Sequence, residues 1–201
     1  MTESGRCWWC VGDAEYRRYH DREWGRPTAD DRYLFEKLCL EGFQAGLSWL
    51  TILRKRDAFR RAFADFDVDR VARMGEREVE RLLEDPAIVR HRGKITAAIN
   101  NARRTQALAA AHGSLAAFVW RFEPPASERP PRPTREVLAA LTETASSRAL
   151  AEALKQAGFR FIGPTSAYAF MQSVGLVNDH VETCPARAEV AAARARFTPP
   201  E

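Results

Sequence analysis

Two pairs of residues near opposite ends of the chain have the chemistry to hold a metal. Cys7 and His20 have twelve residues between them, and His180 and Cys184 stand four apart. The second spacing puts both side chains on one face of a helical turn. Two thiolates and two imidazoles make a tetrahedral zinc site of the closed, structural type. Cys10 is a rival ligand, because Cys7 and Cys10 form a C-x-x-C pair that supplies two sulfurs by itself. The plainer reading, ordinary thiols beside unrelated histidines, fits the same spacing. A redox role for the pair lacks the strand-rich βαβ surroundings that such motifs need. A metal held by both pairs would join the two ends of the chain and make part of the folding free energy metal-dependent.

The aromatic residues gather near the first pair. Four of the five tryptophans (Trp8, Trp9, Trp24, Trp49) and three of the four tyrosines (Tyr16, Tyr19, Tyr33) lie before residue 50. Large aromatics usually build cores, but Tyr16, Tyr19 and Trp24 are interleaved with Arg17, Arg18, His20 and Asp21. Rings with polar neighbours suit a pocket that stacks a flat ligand. Glu41 lies in the uncharged run between Lys37 and Arg54. A carboxylate there is either paired within the structure or held in a site, since burying it alone costs several kcal/mol. Gly42 and Gly46 flank Gln44 and Ala45, which predicts a tight turn with Leu47 at its tip. An exposed leucine there would suit a wedge into a base stack; the commoner fate of a leucine is core. The segment Gly158–Gln172 reads as a helix end, a short connection and a new helix at Gly163–Pro164. That layout resembles a helix-hairpin-helix, whose free N–H groups receive a DNA phosphate.

These residues need a helical frame, and the rest of the chain supplies one. The 201 residues are 45% hydrophobic and 29% charged, with 31 Lys+Arg against 27 Asp+Glu for a net charge of +4. This composition excludes a disordered, collagen-like or coiled-coil chain, and the charge permits a polyanion partner without demanding one. The longest uncharged stretch, residues 161–178, is interrupted by Gly163, Pro164, Thr165, Ser166 and Gln172 and falls short of the ~18–20 apolar residues a membrane span needs. No basic-then-apolar leader opens the sequence, which predicts a cytoplasmic protein. Asp13, Asp30 or Asp31, and Ser48 are expected helix caps. The Ser48 helix is expected to bury Ile52, Leu53, Phe59 and Phe63. Helices are expected from Asp67 and over 76–84, and Pro86 suits the first turn of a long segment carrying Ile88, Ile95 and Ile99. Gly113 ends that segment, and a short apolar helix over 115–122 follows. Residues 123–134 hold five of the eleven prolines and form a crossover between helices. Further helices are expected near 134–141 and 146–157. With no period-2 run bounded by hairpin turns, the fold is all-α, one domain over 1–185 with a tail over 186–201.

Taken together, RCWWC (6–10), YRRYHDREWG (16–25), LEGFQAGLSW (40–49), IVRHRGKI (88–95), GFRFIGPTSAYAFMQ (158–172) and GLVNDHVETC (175–184) resemble the type I DNA-3-methyladenine glycosylases. The resemblance runs from residue 6 to 184 in order. It implies the helical fold of the helix-hairpin-helix repair enzymes, with a structural zinc that ties the termini. It names Cys7, His20, His180 and Cys184 as ligands and favours Cys7 over Cys10. It implies that Glu41 and Tyr19 hydrogen-bond the extruded base, that Trp49 stacks on it, and that Tyr16, Trp9 and Trp24 line the walls. Leu47 would fill the gap left in the duplex, and Gly163 and Thr165 would meet a DNA phosphate at the hairpin. The catalytic aspartate usual in the superfamily is not assigned to Asp179, because the adjacent His180 is a zinc ligand in the resemblance.

The implied substrate is double-stranded DNA carrying 3-methyladenine, and the implied enzyme is a monomer with one zinc. Methylation at the 3-position leaves the base cationic while it is attached to the sugar, so its glycosidic bond is already weak. Extruding the base and holding it among π faces is then the main task, with Glu41 complementing the charge. Two other classes fit parts of the sequence. A zinc-stabilised DNA-binding module would explain the charge and the helices, but not a carboxylate among aromatics. A zinc deaminase is suggested by His180-Val181-Glu182, an H-x-E. No P-C-x-x-C follows it, and four protein ligands leave no position for an activated water.

Overall fold

Polar side chains at the helix starts decide where the helices begin. The computed structural model describes residues 5–201, which contain no β-strand. Asp13 accepts from the Tyr16 N–H at 2.9 Å and starts α1, Ala14–Arg22. Asp30 accepts from the N–H groups of Arg32 and Tyr33 and starts α2, Asp31–Gln44. Ser48 caps α3, Trp49–Arg54, which is followed by α4, Arg56–Ala62. Asp67 caps α5, Val68–Ala72, and α6 is Glu76–Glu84. The long α7, Arg92–His112, stops at Gly113, and α8 is Leu115–Trp120. The proline-rich crossover holds only a short 3₁₀ turn over Ala126–Glu128. After it come α9 (Arg135–Ala140), α10 (Ala145–Gln156), α11 (Pro164–Ser173) and α12 (Pro185–Arg196).

The interior is organised around α2. Ten consecutive residues, Leu34 to Phe43, are buried, the pattern of a helix covered on every side. Helices α3, α7, α8 and α11 pack around it. Phe43 meets Phe59 of α4 with ring centroids 4.5 Å apart, and Phe63 lies 5.6 Å beyond Phe43. Both ends of α2 are pinned from outside. The Asp31 carboxylate accepts from the N–H groups of Leu115 and Ala116 at 3.0 and 2.8 Å and so also caps α8. At the other end the Lys94 ammonium donates to the carbonyls of Phe43 and Ala45 at 3.0 and 2.5 Å. Carbonyls at a helix C-terminus lack intrahelical donors, and a cation there also suits the helix dipole.

Two sequence expectations change. The helix begun at Ser48 does not run on to Phe63. It breaks at Lys55, whose N–H turns to the Ile52 carbonyl while its ammonium is held by the carbonyls of Pro86 and Ala87. Pro86 does not open the long helix either. Residues 86–91 form a turn, and α7 starts at Arg92, where the His91 side chain accepts from the Lys94 N–H. The carbonyls that hold Lys55 belong to that turn, so the two places where the expected helices are interrupted are in contact. Beyond residue 185 the chain is helical and packed. Val190 is buried, Arg26 pairs with Glu189, Arg194 pairs with Glu123, and the Phe197 ring lies 4.5 Å from Trp120. No helix among the described residues is long and apolar enough to cross a membrane.

Gly175 sets the path from α11 into the segment leading to Cys184. Its φ is +82°, and a Cβ there would lie 2.4 Å from the Pro27 nitrogen and 2.5 Å from the Arg26 carbonyl carbon. Backbone cannot yield at that distance as a flexible side chain would. Gly175→Ala is expected to cost at least about 2 kcal/mol through overpacking and the positive φ. Thermal unfolding should register this as a fall in Tm of roughly 4–8 °C for a chain of this size. An unchanged Tm would mean that the two segments are not in tight contact.

Candidate functional site

One cavity of about 250 Å³ collects most of the residues singled out in the sequence: Trp9, Tyr16, Tyr19, Trp24, Glu41 and Trp49. Helix periodicity explains the grouping. Tyr16 and Tyr19 are three apart on α1 and share a face, Glu41 projects from α2, and Trp49 opens α3 directly after its Ser48 cap. The rings pack at tilted to edge-on angles. Trp9 lies 5.0 Å from Tyr16 and 4.9 Å from Trp24, and Tyr19 lies 5.5 Å from Trp49. Trp8, Gln44, Leu138, Leu141, Gln172 and Asp179 complete the lining. Sequence reasoning misses Leu138, Leu141 and Gln172, because α9 and α11 reach the cavity from beyond the proline crossover and no local signal marks them.

Three charged residues of α2 enter the interior, and their surroundings differ. Glu36 accepts from Arg56 at 2.5 Å and from Arg60 at 3.1 Å, and Arg56 also donates to Glu23. Lys37 is fully buried and donates to the Tyr19 hydroxyl at 2.7 Å. Its nitrogen sits 4.5 Å from the Tyr19 ring centroid and 4.3 Å from that of Trp49, within cation–π reach. Glu41 is 4% exposed and, among the described residues, accepts no hydrogen bond. Burial pushes its carboxyl up to about 7, with the nearby Lys37 charge pulling the other way. The Trp49 indole nitrogen is likewise buried with no partner among the described residues. A carboxylate and an N–H left unpaired in one cavity are the features that a polar ligand would satisfy. Asp179 is a second buried carboxylate on the wall, accepting from the Tyr168 hydroxyl at 2.5 Å and from Gln172 at 2.9 Å through the same oxygen.

The metal-ligand pairs converge directly behind the aromatic wall. One ligand atom from each of Cys7, His20, His180 and Cys184 lies within 4.8 Å of all the others, and all four residues are buried. Cys184 Sγ is 3.5 Å from both His20 Nε2 and His180 Nδ1, Cys7 Sγ is 3.7 Å from His180 Nδ1, and the two imidazole nitrogens are 3.1 Å apart. Bond lengths of about 2.0–2.1 Å to nitrogen and about 2.3 Å to sulfur give tetrahedral edges of roughly 3.3–3.8 Å. The cluster therefore fits a tetrahedrally bound ion. Its outer contacts fit too, because each imidazole has an oxygen at its far nitrogen. Asp21 is 2.7 Å from His20 Nδ1, and the Trp24 carbonyl is 3.2 Å from His180 Nε2. Such oxygens fix the tautomer of ligating histidines. Arg6 in turn holds Asp21 with two hydrogen bonds. Cys10, the rival ligand, stands beside the cluster and donates its thiol to the Cys7 carbonyl at 3.1 Å.

Two surface loops adjoin each other on another side. Leu47 is 42% exposed at the turn that follows α2, where Gly46 has φ +79°. Between α10 and α11 the chain turns through Phe161, which is 44% exposed with φ +60°. A Cβ on Gly42 would lie 3.5 Å from the Phe161 carbonyl oxygen, so α2 and this connection are in contact. Gly163 precedes α11 without any side-chain cap, and Thr165 is exposed in the first turn. The N–H groups at this helix start are thus free of local acceptors.

The sequence matches the methyladenine glycosylase family over residues 9–188. It is 48% identical over 180 residues to DNA-3-methyladenine glycosylase 1 of Escherichia coli (strain K12), covering 89% of this chain and 95% of that protein. It is 42% identical over 185 residues to the DNA-3-methyladenine glycosylase of Haemophilus influenzae, covering 90% and 97% respectively. A structure described as the basis of 3-methyladenine recognition by 3-methyladenine DNA glycosylase I from Staphylococcus aureus superposes with a TM-score of 0.84 at 36% identity, over 90% of this chain and 95% of that one.

The cluster geometry yields a direct test with cobalt(II) as a spectroscopic probe. Metal-free protein is expected to bind one equivalent with thiolate charge-transfer absorption. Cys7→Ser and Cys184→Ser should each weaken binding by at least about 100-fold, since ligands matter more than the contacts behind them. Cys10→Ser should retain the stoichiometry and the spectrum. Loss of the band in Cys10→Ser alone would reverse the ligand assignment.

Proposed function

The chain belongs to the methyladenine glycosylase family, and from that premise we propose how its cavity carries out base excision. The protein hydrolyses the N-glycosidic bond of 3-methyladenine in alkylated DNA, releasing the free base and leaving an abasic site. One observation supports the assignment of roles: a buried carboxylate that has no hydrogen-bond donor among the described residues stands in a cavity walled by aromatic rings. Duplex DNA with a 3-methyladenine lesion is the substrate, and the extruded base enters this cavity. Trp49 stacks on the base, Tyr16, Trp9 and Trp24 line its edges, and Tyr19 and Glu41 hydrogen-bond it.

The alkylated base is cationic while bonded to deoxyribose, so it leaves without being protonated. Glu41 as an anion complements that charge and accepts from the exocyclic amino group, in a dry site where the attraction is strong. Unmodified adenine is neutral and a poor leaving group, so binding and leaving-group ability discriminate in the same direction. Water attacks the sugar carbon as the base departs. Leu47 fills the space in the duplex, and the free N–H groups near Gly163 and Thr165 receive a backbone phosphate of this helix-hairpin-helix segment.

Zinc is the ion we assign to Cys7, His20, His180 and Cys184, and its contribution is structural, since four protein ligands close the coordination sphere. The residues around it hold Trp9 and Trp24 in place. We further infer a monomer acting in the cytoplasm, with residues 1–185 as a single catalytic domain.

Excision depends on Glu41 being ionised, so the rate should fall as the pH drops through about 7, where burial has raised that carboxyl. Glu41→Gln and Trp49→Ala should each lower excision by at least about 10-fold, or about 1.4 kcal/mol of transition-state stabilisation. Chromatography of the bases released from methylated duplex DNA measures both, with metal content determined on the same samples. Wild-type rates in the two variants would sink the assignment.

A further inference from the structure

Lys37 takes no part in the excision steps just described, yet it is a fully buried amine in contact with the cavity's walls. It approaches Tyr19 through the hydroxyl at 2.7 Å and lies 4.3 Å from the Trp49 ring centroid. It stands four residues before Glu41 on α2, which places the two on the same helix face. We propose that Lys37 is a positioning residue for base excision: its buried ammonium keeps Glu41 ionised and, by donating to the Tyr19 oxygen, leaves the Tyr19 hydrogen free to be donated into the cavity. The inference rests on the reading of Tyr19 and Glu41 as the groups that bind the base.

The hydrogen-bond count supports the second half of this proposal. A phenol offers one hydrogen and accepts at its oxygen. While Lys37 is protonated it has no lone pair, so in this contact Tyr19 accepts. The Tyr19 hydrogen must then point elsewhere, and the cavity that Tyr19 lines is the space available for an acceptor such as a ring nitrogen. The first half follows from charge. The charged groups facing Lys37 are Glu41 and Glu36 on its own helix, Glu23 at the end of α1 and Arg56 of α4. Glu36 and Glu23 are already bonded to Arg56. Glu41 is the carboxylate left without such a partner, and burial alone would drive it to the neutral form. Burial also lowers the Lys37 amine to about 7, opposed chiefly by Glu41, so the two groups share their titration range.

The test is the pH dependence of kcat/KM for excision from a duplex with a single 3-methyladenine, from about pH 5.5 to about pH 9, in wild type and Lys37→Met. Methionine keeps an unbranched stem as far as the ε position, suits an aromatic setting and lacks the amine. With the cation gone, Glu41 takes up its proton more readily, so the acid limb should move up by about one pH unit. Excision near pH 6 should fall at least about tenfold relative to wild type, and the ratio should narrow toward alkaline pH to the part lost with the Lys37–Tyr19 contact. A loss of packing alone would lower the curve without moving its limb. Superimposable limbs, or an equal loss at every pH, would overturn the inference.

Glu41→Gln is measured alongside. If that variant excises at the wild-type rate, the cavity reading has failed. If it is impaired while the Lys37→Met limb stays in place, only the Lys37 inference has failed. Carbon-13 resonances of the Lys37 ε-carbon and the Glu41 carboxyl in labelled wild-type protein answer the same question without reliance on the folding of Lys37→Met. Linked titration of the two groups is expected, with Glu41 ionising while Lys37 is still protonated; a Lys37 amine already neutral over the range in which Glu41 ionises would overturn the inference.

Discussion

Charge inside the protein is the constraint on which the rest of the structure turns. A helix covered on every side would ordinarily be apolar throughout, yet α2 brings Glu36, Lys37 and Glu41 into the interior within two turns. Each ion removed from water loses several kcal/mol of solvation unless the protein replaces it. Glu36 is compensated by two guanidinium groups, and Lys37 by a phenol oxygen and two π faces. Glu41 is compensated only in part. What the fold withholds from Glu41 a cationic ligand can supply, and the neighbouring orphan N–H of Trp49 marks the same cavity.

The cavity and the metal cluster are two sides of one wall. Trp9 contacts Tyr16 on the cavity side and His20 on the other, and Trp24 packs 4.7 Å from the His180 ring. Residues of the Cys/His cluster therefore also set the planes of the rings. The stereochemistry is exacting on both faces. Four ligand atoms must meet at tetrahedral spacing while the indoles stand edge-on to each other. This explains why α1 serves both functions. Tyr16 and Tyr19 point to one side while His20, the next residue, points to the other.

How much of this was legible in the sequence depended on the range of the interaction. Caps at Asp13, Asp30, Ser48 and Asp67 act within three residues and were readable. The exposed Leu47 was readable from its turn, and residue type offered the Cys/His candidates, with the choice of Cys7 over Cys10 resting on the family resemblance. The break at Lys55 was not readable, since it depends on carbonyls in a turn some thirty residues away. Pro86 was misleading because proline suits both a first helical turn and an ordinary turn. Lys37 looked like one more surface lysine and served only to mark the edge of an uncharged run. Nothing near it in sequence indicates that Tyr19 and Trp49 enclose it. Asp179 and Gln172 reach the cavity wall from the far end of the chain, and no neighbouring residue signals that they do.

The pairing of the two ends has a consequence for how the molecule is made. Cys7 meets its partner His180 across a separation of 173 residues. Chains emerge from the ribosome at about 5–20 residues per second, N-terminal part first. Cys7 therefore waits, with His180 unsynthesised, for roughly ten to thirty seconds. The helices around α2 can associate during that interval, but the wall shared by the cavity and the cluster cannot close. A ribosome stalled anywhere before residue 184 would thus carry a nascent chain without a competent cavity, however well its core had formed.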